Sequence, residues 1–442
     1  MRRVKQKGQA RIRAAHAVSQ VTFFALLIYF FAFSGPLRAA LGQSTRVVTI
    51  IITVTGFLLT SCALLKLRRK RYVKAILILL AANLAWMTFS SILGDSPLWG
   101  VVAGALILLF LPNSLILGLA YQQESEDPLV LRLSWLLVAA NLLALTLQII
   151  FLSGLDRGSG LLGNERASNT IALFTMLTSL GLWLRDKRFA SPALLSFGLA
   201  SVLGWLGDSK AAIGLVLILV VIFGATLTAR TFGKLKSQDQ LRKLIVAALI
   251  TAFALLLAWQ GVATGSSANI RSEVREGLSE LYVNSSDVGD SDSHGLLVAV
   301  AGQGLGTGGS LLGLLAAQGA FSMLPDSEVL AEKHLDKLEE RRFQTSSTGL
   351  LYSPNKTLVG LLDEVGIIGM LLYAAIVITV LLQFRDRVDG AALLAVFFML
   401  SVTAALTPFV EYPEVALSVS LFLILQRRQA NQSKTSARSD DM

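Results

Sequence analysis

Long apolar runs separated by short polar connections dominate the chain from residue 17 to residue 426. A helix that crosses a membrane needs about 20 mostly apolar residues, and runs of that length recur along the sequence. The sequence therefore predicts an all-α, polytopic integral membrane protein with about 12 transmembrane helices. The predicted spans are residues 17–37, 47–65, 74–94, 98–120, 133–155, 167–184, 189–207, 211–228, 244–262, 365–384, 390–410 and 412–426.

The chain has four predicted regions: two helical regions, the long polar segment between the ninth and tenth predicted helices, and a C-terminal tail. Residues 1–262 carry predicted helices one to nine, and residues 357–426 carry helices ten to twelve. Residues 263–356 are expected to form an extracytoplasmic loop with short membrane-associated helices. Residues 427–442 are polar and predict a disordered cytoplasmic tail. Within the fourth predicted helix, Pro112 predicts a kink.

The distribution of charge predicts which way the helices cross. Lys and Arg residues concentrate in the cytoplasmic connections of membrane proteins. With both termini inside, most of the 39 Lys and Arg residues fall on that side, including the run Arg68-Arg69-Lys70-Arg71. The net charge of +10 is then a topology signal, and no nucleic-acid partner is expected. Only 15% of the residues are charged, against about 25% in soluble proteins.

A glycine-rich apolar segment, residues 296–320, lies inside the predicted loop. Its sequence GLGTGG at 304–309 fits the G-x-G-x-x-G spacing of dinucleotide-binding loops. That fingerprint requires a preceding strand and a βαβ unit, which an external loop of a helical membrane protein does not provide. We expect instead a flexible turn that brings backbone close to the membrane or a substrate. The rest of the segment is expected to lie against the outer membrane face.

Four cations are predicted to lie on the outer side, close to the membrane: Arg166, Lys210, Arg271 and Arg275. A guanidinium group binds phosphate oxygens through two parallel hydrogen bonds, so cations converging at this depth suit a lipid-linked diphosphate. The alternative is that each side chain extends to lipid headgroups without a specific ligand. The sequence leaves both interpretations open.

Candidate bases and acids are scattered over the same loop. His294 follows an acidic run, and Glu276 lies next to Arg275, although a solvated role is the commoner one for such loop residues. Asp363 and Glu364 are expected at the entry of the tenth helix, where a carboxylate can simply complement the helix dipole. The sequence contains no H-E-x-x-H and no Cys/His cluster, so neither a metal nor another cofactor is expected.

Together with this architecture, four short segments resemble the O-antigen ligase/O-antigen polymerase superfamily. LGNERASN at 162–169 resembles the family's Gly/Asn-rich helix entry, and GDSK at 207–210 resembles its Ser-Arg step with lysine in place of arginine. GQGLG at 302–306 resembles its G-x-G-x-G segment. NKTL at 355–358, followed by GIIG at 366–369, resembles its closing His-Asn and Gly-x-x-Gly motif.

The resemblance implies a metal-independent enzyme that transfers a glycan from undecaprenyl diphosphate on the outer face of the bacterial inner membrane. Its partners would be the lipid-linked glycan donor, a glycan or glycolipid acceptor and membrane lipid. Arg166, Lys210, Arg271 and Arg275 would hold the diphosphate. Pro354 stands where ligases have the histidine that activates the acceptor, which favours a polymerase-like enzyme. The identity of the base is left open, and the candidate catalytic residues are His294, Asn355 and Glu276.

Two other classes of function stay open. A transporter or flippase of lipid-linked sugars would need charged or polar groups deep inside its helices. The predicted helices 133–155, 365–384 and 390–410 contain no charged residue, which argues against it. A non-catalytic scaffold of an envelope polysaccharide complex is compatible with Lys210 and Pro354, the two departures from the family pattern. The sequence does not distinguish polymerase from ligase.

Overall fold

The computed structural model describes residues 18–41, 44–66, 71–121, 128–151, 161–162, 167–185, 190–206, 216, 221, 300–306, 312, 328–329, 331–332, 357–385, 388, 390–406 and 411–426. These residues are organised almost entirely as helices. In chain order the helices are α1 (Val18–Leu41), α2 (Ser44–Lys66), α3 (Arg71–Leu93), α4 (Leu98–Leu108), α5 (Phe110–Tyr121), α6 (Pro128–Phe151), α7 (Ala167–Arg185), α8 (Ala190–Leu206), α9 (Thr357–Leu382), α10 (Gly390–Leu406) and α11 (Pro413–Leu425).

Each of these helices coincides with a run that the sequence predicts to be helical, and the all-α prediction holds for the described residues. The predicted helix at 244–262, and that at 211–228 except for residues 216 and 221, lie outside the described residues. Four helices are long and apolar enough to cross a membrane: Val18–Leu41, Tyr72–Leu93, Leu129–Gln148 and Gly360–Leu382. The consecutive helices α4 and α5 would together form a fifth span. The structure therefore has four or five candidate spans among its described residues.

The kink predicted at Pro112 is confirmed. Helices α4 and α5 meet at Leu109 with a bend of 46°. Proline has no N–H group, so Pro112 cannot donate to the Leu108 carbonyl one turn earlier, and its ring crowds that carbonyl. The bend therefore follows from the sequence.

The interior of the bundle is formed by α5, α7 and α11. All residues of α5 and all of α11 after Pro413 are buried, including two hydroxyls that bond across the interface, Ser420 Oγ to Ser114 Oγ at 3.1 Å. Helix α11 packs between α5 and α7. The surrounding helices present large apolar side chains outward, such as Ile78 and Leu195. Helices that are apolar on every side suit a membrane-embedded protein.

Helix α9 begins earlier than the sequence predicts. Its first residue is Thr357 rather than residue 365, and the helix is broken at Gly366. Asp363 and Glu364 were expected at the helix entry, and that placement is wrong, because both lie within the helix directly before the break. The charged pair lowers the apolar character of 357–365, which conceals the first turns of the helix from a hydropathy pattern.

Candidate functional site

The residues singled out from the sequence as diphosphate ligands or bases lie outside the described part of the chain. They are Arg166, Lys210, Arg271, Arg275, Glu276, His294 and Asn355. Their roles stay predictions. The structure does describe two of the segments that carry the family resemblance, GQGLG at 302–306 and GIIG at 366–369.

The centre of this framework is the break in α9. At Gly366 the backbone has φ 66° and ψ −177°, which no helical residue adopts. A helix that stops leaves its last carbonyl groups without intrahelical partners. Four donors from other parts of the chain bond to three of these carbonyls. The bonds run from Gln303 N–H to Asp363 (2.7 Å), from Gly304 N–H to Glu364 (2.9 Å), from Ser90 Oγ–H to Glu364 (2.6 Å) and from Trp86 Nε1–H to Val365 (2.9 Å).

We call this arrangement the glycine junction, formed by residues 86–96, 300–306 and 363–369. In this junction the backbone of 300–302 lies so close to the backbone of 364–366 that no side chain fits between them. A Cβ atom on Gly302 would collide with the Glu364 carbonyl, and one on Gly366 would collide with the Val300 carbonyl. Gly302 has φ 82°, in the left-handed region that glycine adopts without steric cost. Glycine is therefore required on both sides of this contact.

The segment 300–306 is anchored by apolar contacts as well as by hydrogen bonds. Leu305 is fully buried, and its N–H donates to Ser91 Oγ at 3.2 Å. Leu305 and Leu312 both pack against the position of Gly104 in α4, where an added Cβ would lie 3.0 Å from each. The described residues of this segment are thus packed among α3, α4 and α9.

The junction lies close to both ends of the segment 307–356. Gly306 in the junction precedes this segment, and Thr357, seven residues before Glu364, follows it. At 1.5 Å per helical residue, Thr357 is about 10 Å from Glu364 along α9. Asn355 lies two residues before the start of α9, and His294 lies six residues before Val300. Both catalytic candidates are therefore close in sequence to the glycine junction.

Three buried carboxylic acids form a second feature of the bundle, and sequence reasoning missed two of them. Glu364, Glu411 and Glu414 are 1%, 2% and 5% exposed. Glu411 interacts electrostatically with Tyr373 of α9, and Glu414 with Tyr29 of α1. Glu411 and Glu414 could have been found from the sequence, because EYPE at 411–414 places two carboxylates between long uncharged runs. Buried acids in membrane helices commonly have a functional role.

Within the described residues, no group of three or more His, Cys, Asp or Glu side chains could hold a metal ion. No family model, curated protein or solved structure matches the chain.

Proposed function

We propose that the protein is a membrane glycan transferase that moves an oligo- or polysaccharide from undecaprenyl diphosphate to an acceptor on the outer face of the bacterial inner membrane. Polymerase-like transfer is favoured, because Pro354 occupies the position of the ligase histidine. The observation that carries the proposal is the glycine junction. Two segments that resemble the transferase superfamily, GQGLG at 302–306 and GIIG at 366–369, are far apart in sequence and belong to one interlocked structure.

The proposed topology has about 12 transmembrane helices, both termini in the cytoplasm and the long loop outside. Contacts between described connections support it. The C-terminal end of α3 meets the N-terminal part of α9, and both ends are outer ones in this orientation. The Gly35 N–H donates to the Leu161 carbonyl at 2.9 Å, which joins two further connections assigned to the outer side. Segments that the proposed topology assigns to the outer side thus contact each other.

The transfer step needs charge stabilisation more than it needs a metal. The acceptor hydroxyl oxygen attacks the anomeric carbon, the bond from that carbon to the phosphate oxygen breaks, and undecaprenyl diphosphate leaves. Arg166, Lys210, Arg271 and Arg275 would stabilise the negative charge on the leaving diphosphate. The acceptor proton would pass to a base, for which His294 and Glu276 are the candidates on the loop. Asn355, the third catalytic candidate, has a neutral carboxamide and would orient the acceptor by hydrogen bonding.

A second candidate function, a transporter or flippase of lipid-linked sugars, is favoured by a specific observation. The predicted helices 133–155, 365–384 and 390–410 contain no charged residue, which argues against a transporter. Glu414 at the start of α11 and Glu364 in α9 are nevertheless buried within the bundle. Carboxylates in such positions mark ion and substrate pathways in many membrane proteins.

Reporter fusions test the proposed orientation. A reporter that is active only outside the cytoplasm should be active when it is fused after Ser286 or Thr345. It should be silent when it is fused after Lys236 or Arg385, because the Lys and Arg residues around those sites are assigned to the inside. Equal expression of all four fusions is the control. Activity after Lys236 would reverse the orientation and place the glycine junction on the cytoplasmic side.

Loss of the protein should separate the two candidate functions. In a deletion strain, a transferase defect should make undecaprenyl-diphosphate-linked glycan accumulate in the outer leaflet, because its translocation continues while its consumption stops. Mass spectrometry of lipid extracts measures the amount, and labelling of intact spheroplasts with a membrane-impermeant sugar oxidant reports the leaflet. Accumulation in the inner leaflet would favour the flippase. Unchanged amounts of the lipid-linked glycan would contradict both.

A further inference from the structure

The turn that joins α3 to α4 packs on the middle segment of the glycine junction. A Cβ atom on Gly94 would collide with the Gln303 carbonyl. A Cβ atom on Gly304 would collide with Ser96 Oγ. The residue between these two contacts of the turn is Asp95, whose backbone is therefore held beside Gln303 and Gly304.

Hydrogen bonds fix both backbones at this contact. On the side of the turn, the Ser96 N–H donates to the Ser91 carbonyl at 2.9 Å. On the side of the junction, the Gln303 N–H donates to the Asp363 carbonyl of α9 at 2.7 Å. Side chains that are carried by fixed backbone lose little freedom when they bind a ligand, so Asp95 and Gln303 are well placed to act together.

The backbone conformation of Asp95 is unusual. With φ 49°, it is the only residue other than glycine that has a positive φ in the described part of the chain. Aspartate tolerates this left-handed conformation better than most residues, but glycine adopts it without steric cost. Residues in such conformations are frequent at ligand-binding sites, where the surrounding structure holds them in place.

The carboxylate of Asp95 does not stabilise the turn. The side chain is exposed. Helix α4 has Pro97 at its N-cap, and no side chain caps its first N–H groups. Among the described residues Asp95 bonds through its backbone N–H, to the Ile92 carbonyl at 3.4 Å, and not through its carboxylate. The contacts of the fold therefore give no reason for an acid at this position.

The two neighbouring side chains together suit the hydroxyl groups of a sugar. A carboxylate accepts hydrogen bonds from two hydroxyls, and the half-buried carboxamide of Gln303 both donates and accepts. The charge of Asp95 would repel a phosphate group. A calcium ion requires six to eight oxygen ligands, which one carboxylate and one carboxamide do not supply. A neutral, hydroxyl-rich ligand fits these groups best.

We propose that Asp95 and Gln303 bind hydroxyl groups of the glycan at the outer end of the bundle. The inference rests on the proposed function, because that function supplies the lipid-linked glycan and places the turn between α3 and α4 on the outer side. It divides the recognition of the substrate between two groups of residues. Asp95 and Gln303 bind the sugar, and the outer cations bind the diphosphate.

Calorimetric titration of the purified protein in nanodiscs tests the proposal with two probes, undecaprenyl-diphosphate-linked glycan and undecaprenyl diphosphate without sugar. Asp95→Gly removes the carboxylate and is compatible with the positive φ, so this variant should fold. Its affinity for the glycan-bearing lipid should fall roughly 10- to 100-fold, because hydrogen bonds to a charged group are lost. Its affinity for undecaprenyl diphosphate should not change. Asp95→Asn should lose less affinity, since the carboxamide retains one acceptor oxygen.

Glu332→Gln is the matched control, because it neutralises another exposed carboxylate and should bind both lipids like the unmodified protein. Unchanged affinities in Asp95→Gly, or an equal loss for both lipids, would overturn the sugar site. Equal affinity of the unmodified protein for the two lipids would overturn it as well. The titration requires no turnover. Sugar-dependent binding by a protein that transfers no glycan would therefore support the site and contradict the transferase, which separates the two proposals.

Discussion

Gly366→Ala should strongly destabilise the protein and remove its activity. A backbone conformation that only glycine tolerates costs about 1–3 kcal/mol when another residue adopts it. The added methyl group would also collide with the Val300 carbonyl. Relief of that collision would separate 300–306 from α9 and remove the bonds that Gln303 N–H and Gly304 N–H donate to the carbonyls of Asp363 and Glu364. Thermal unfolding in detergent, measured with the transfer assay on the same preparations, checks the prediction.

The matched control for this substitution is Gly198→Ala in α8. A Cβ at Gly198 meets nothing within 4 Å, and the residue lies inside a regular helix. Alanine is favoured over glycine in a helix by about 1 kcal/mol, so this variant should be as stable as the unmodified protein or more so. Similar stability of the Gly366→Ala and Gly198→Ala proteins would mean that the glycine junction does not hold α9 in place.

The helices could be predicted because their apolar runs are long and their connections polar. The bend between α4 and α5 was also predictable, since a proline inside an apolar run has a defined local effect at Pro112. The early start of α9 was not, because Asp363 and Glu364 interrupt its hydropathy although they are part of the helix. A hydropathy pattern locates the ends of a helix only where the residues along that helix are uniformly apolar.

The pairing of 300–306 with α9 could not be derived from the sequence. The glycines at 302, 304 and 306 indicate unusual backbone, but no periodicity says which helix that backbone approaches. The roles of Trp86 and Ser90 in α3 could not be predicted either, because nothing in an apolar helix marks them as donors. They become donors only because the break at Gly366 leaves carbonyl groups of α9 without partners in their own helix. The predicted diphosphate ligands lie outside the described residues, and their convergence stays a prediction.

Alanine substitution of the outer cations should reduce transfer with little effect on folding. Arg271→Ala or Arg275→Ala should lower the rate roughly 10- to 100-fold, because a hydrogen bond to a charged group contributes about 1.5–3 kcal/mol. Arginine-to-lysine variants should lose part of the activity, since lysine lacks the two-pronged donor. Lys210→Arg should retain activity. Arg341→Ala, in the charged part of the loop, is the control and should behave like the unmodified protein.

The most direct test is transfer in proteoliposomes that contain only the purified protein, an undecaprenyl-diphosphate-linked glycan and an acceptor. Radiolabelled glycan should move to the acceptor with release of undecaprenyl diphosphate, and the Arg166→Ala, Lys210→Ala, Arg271→Ala and Arg275→Ala proteins should be impaired at normal protein levels. No transfer by the unmodified protein would contradict the transferase activity, and unmodified rates in all four variants would contradict the assignment of the four cations to a diphosphate site.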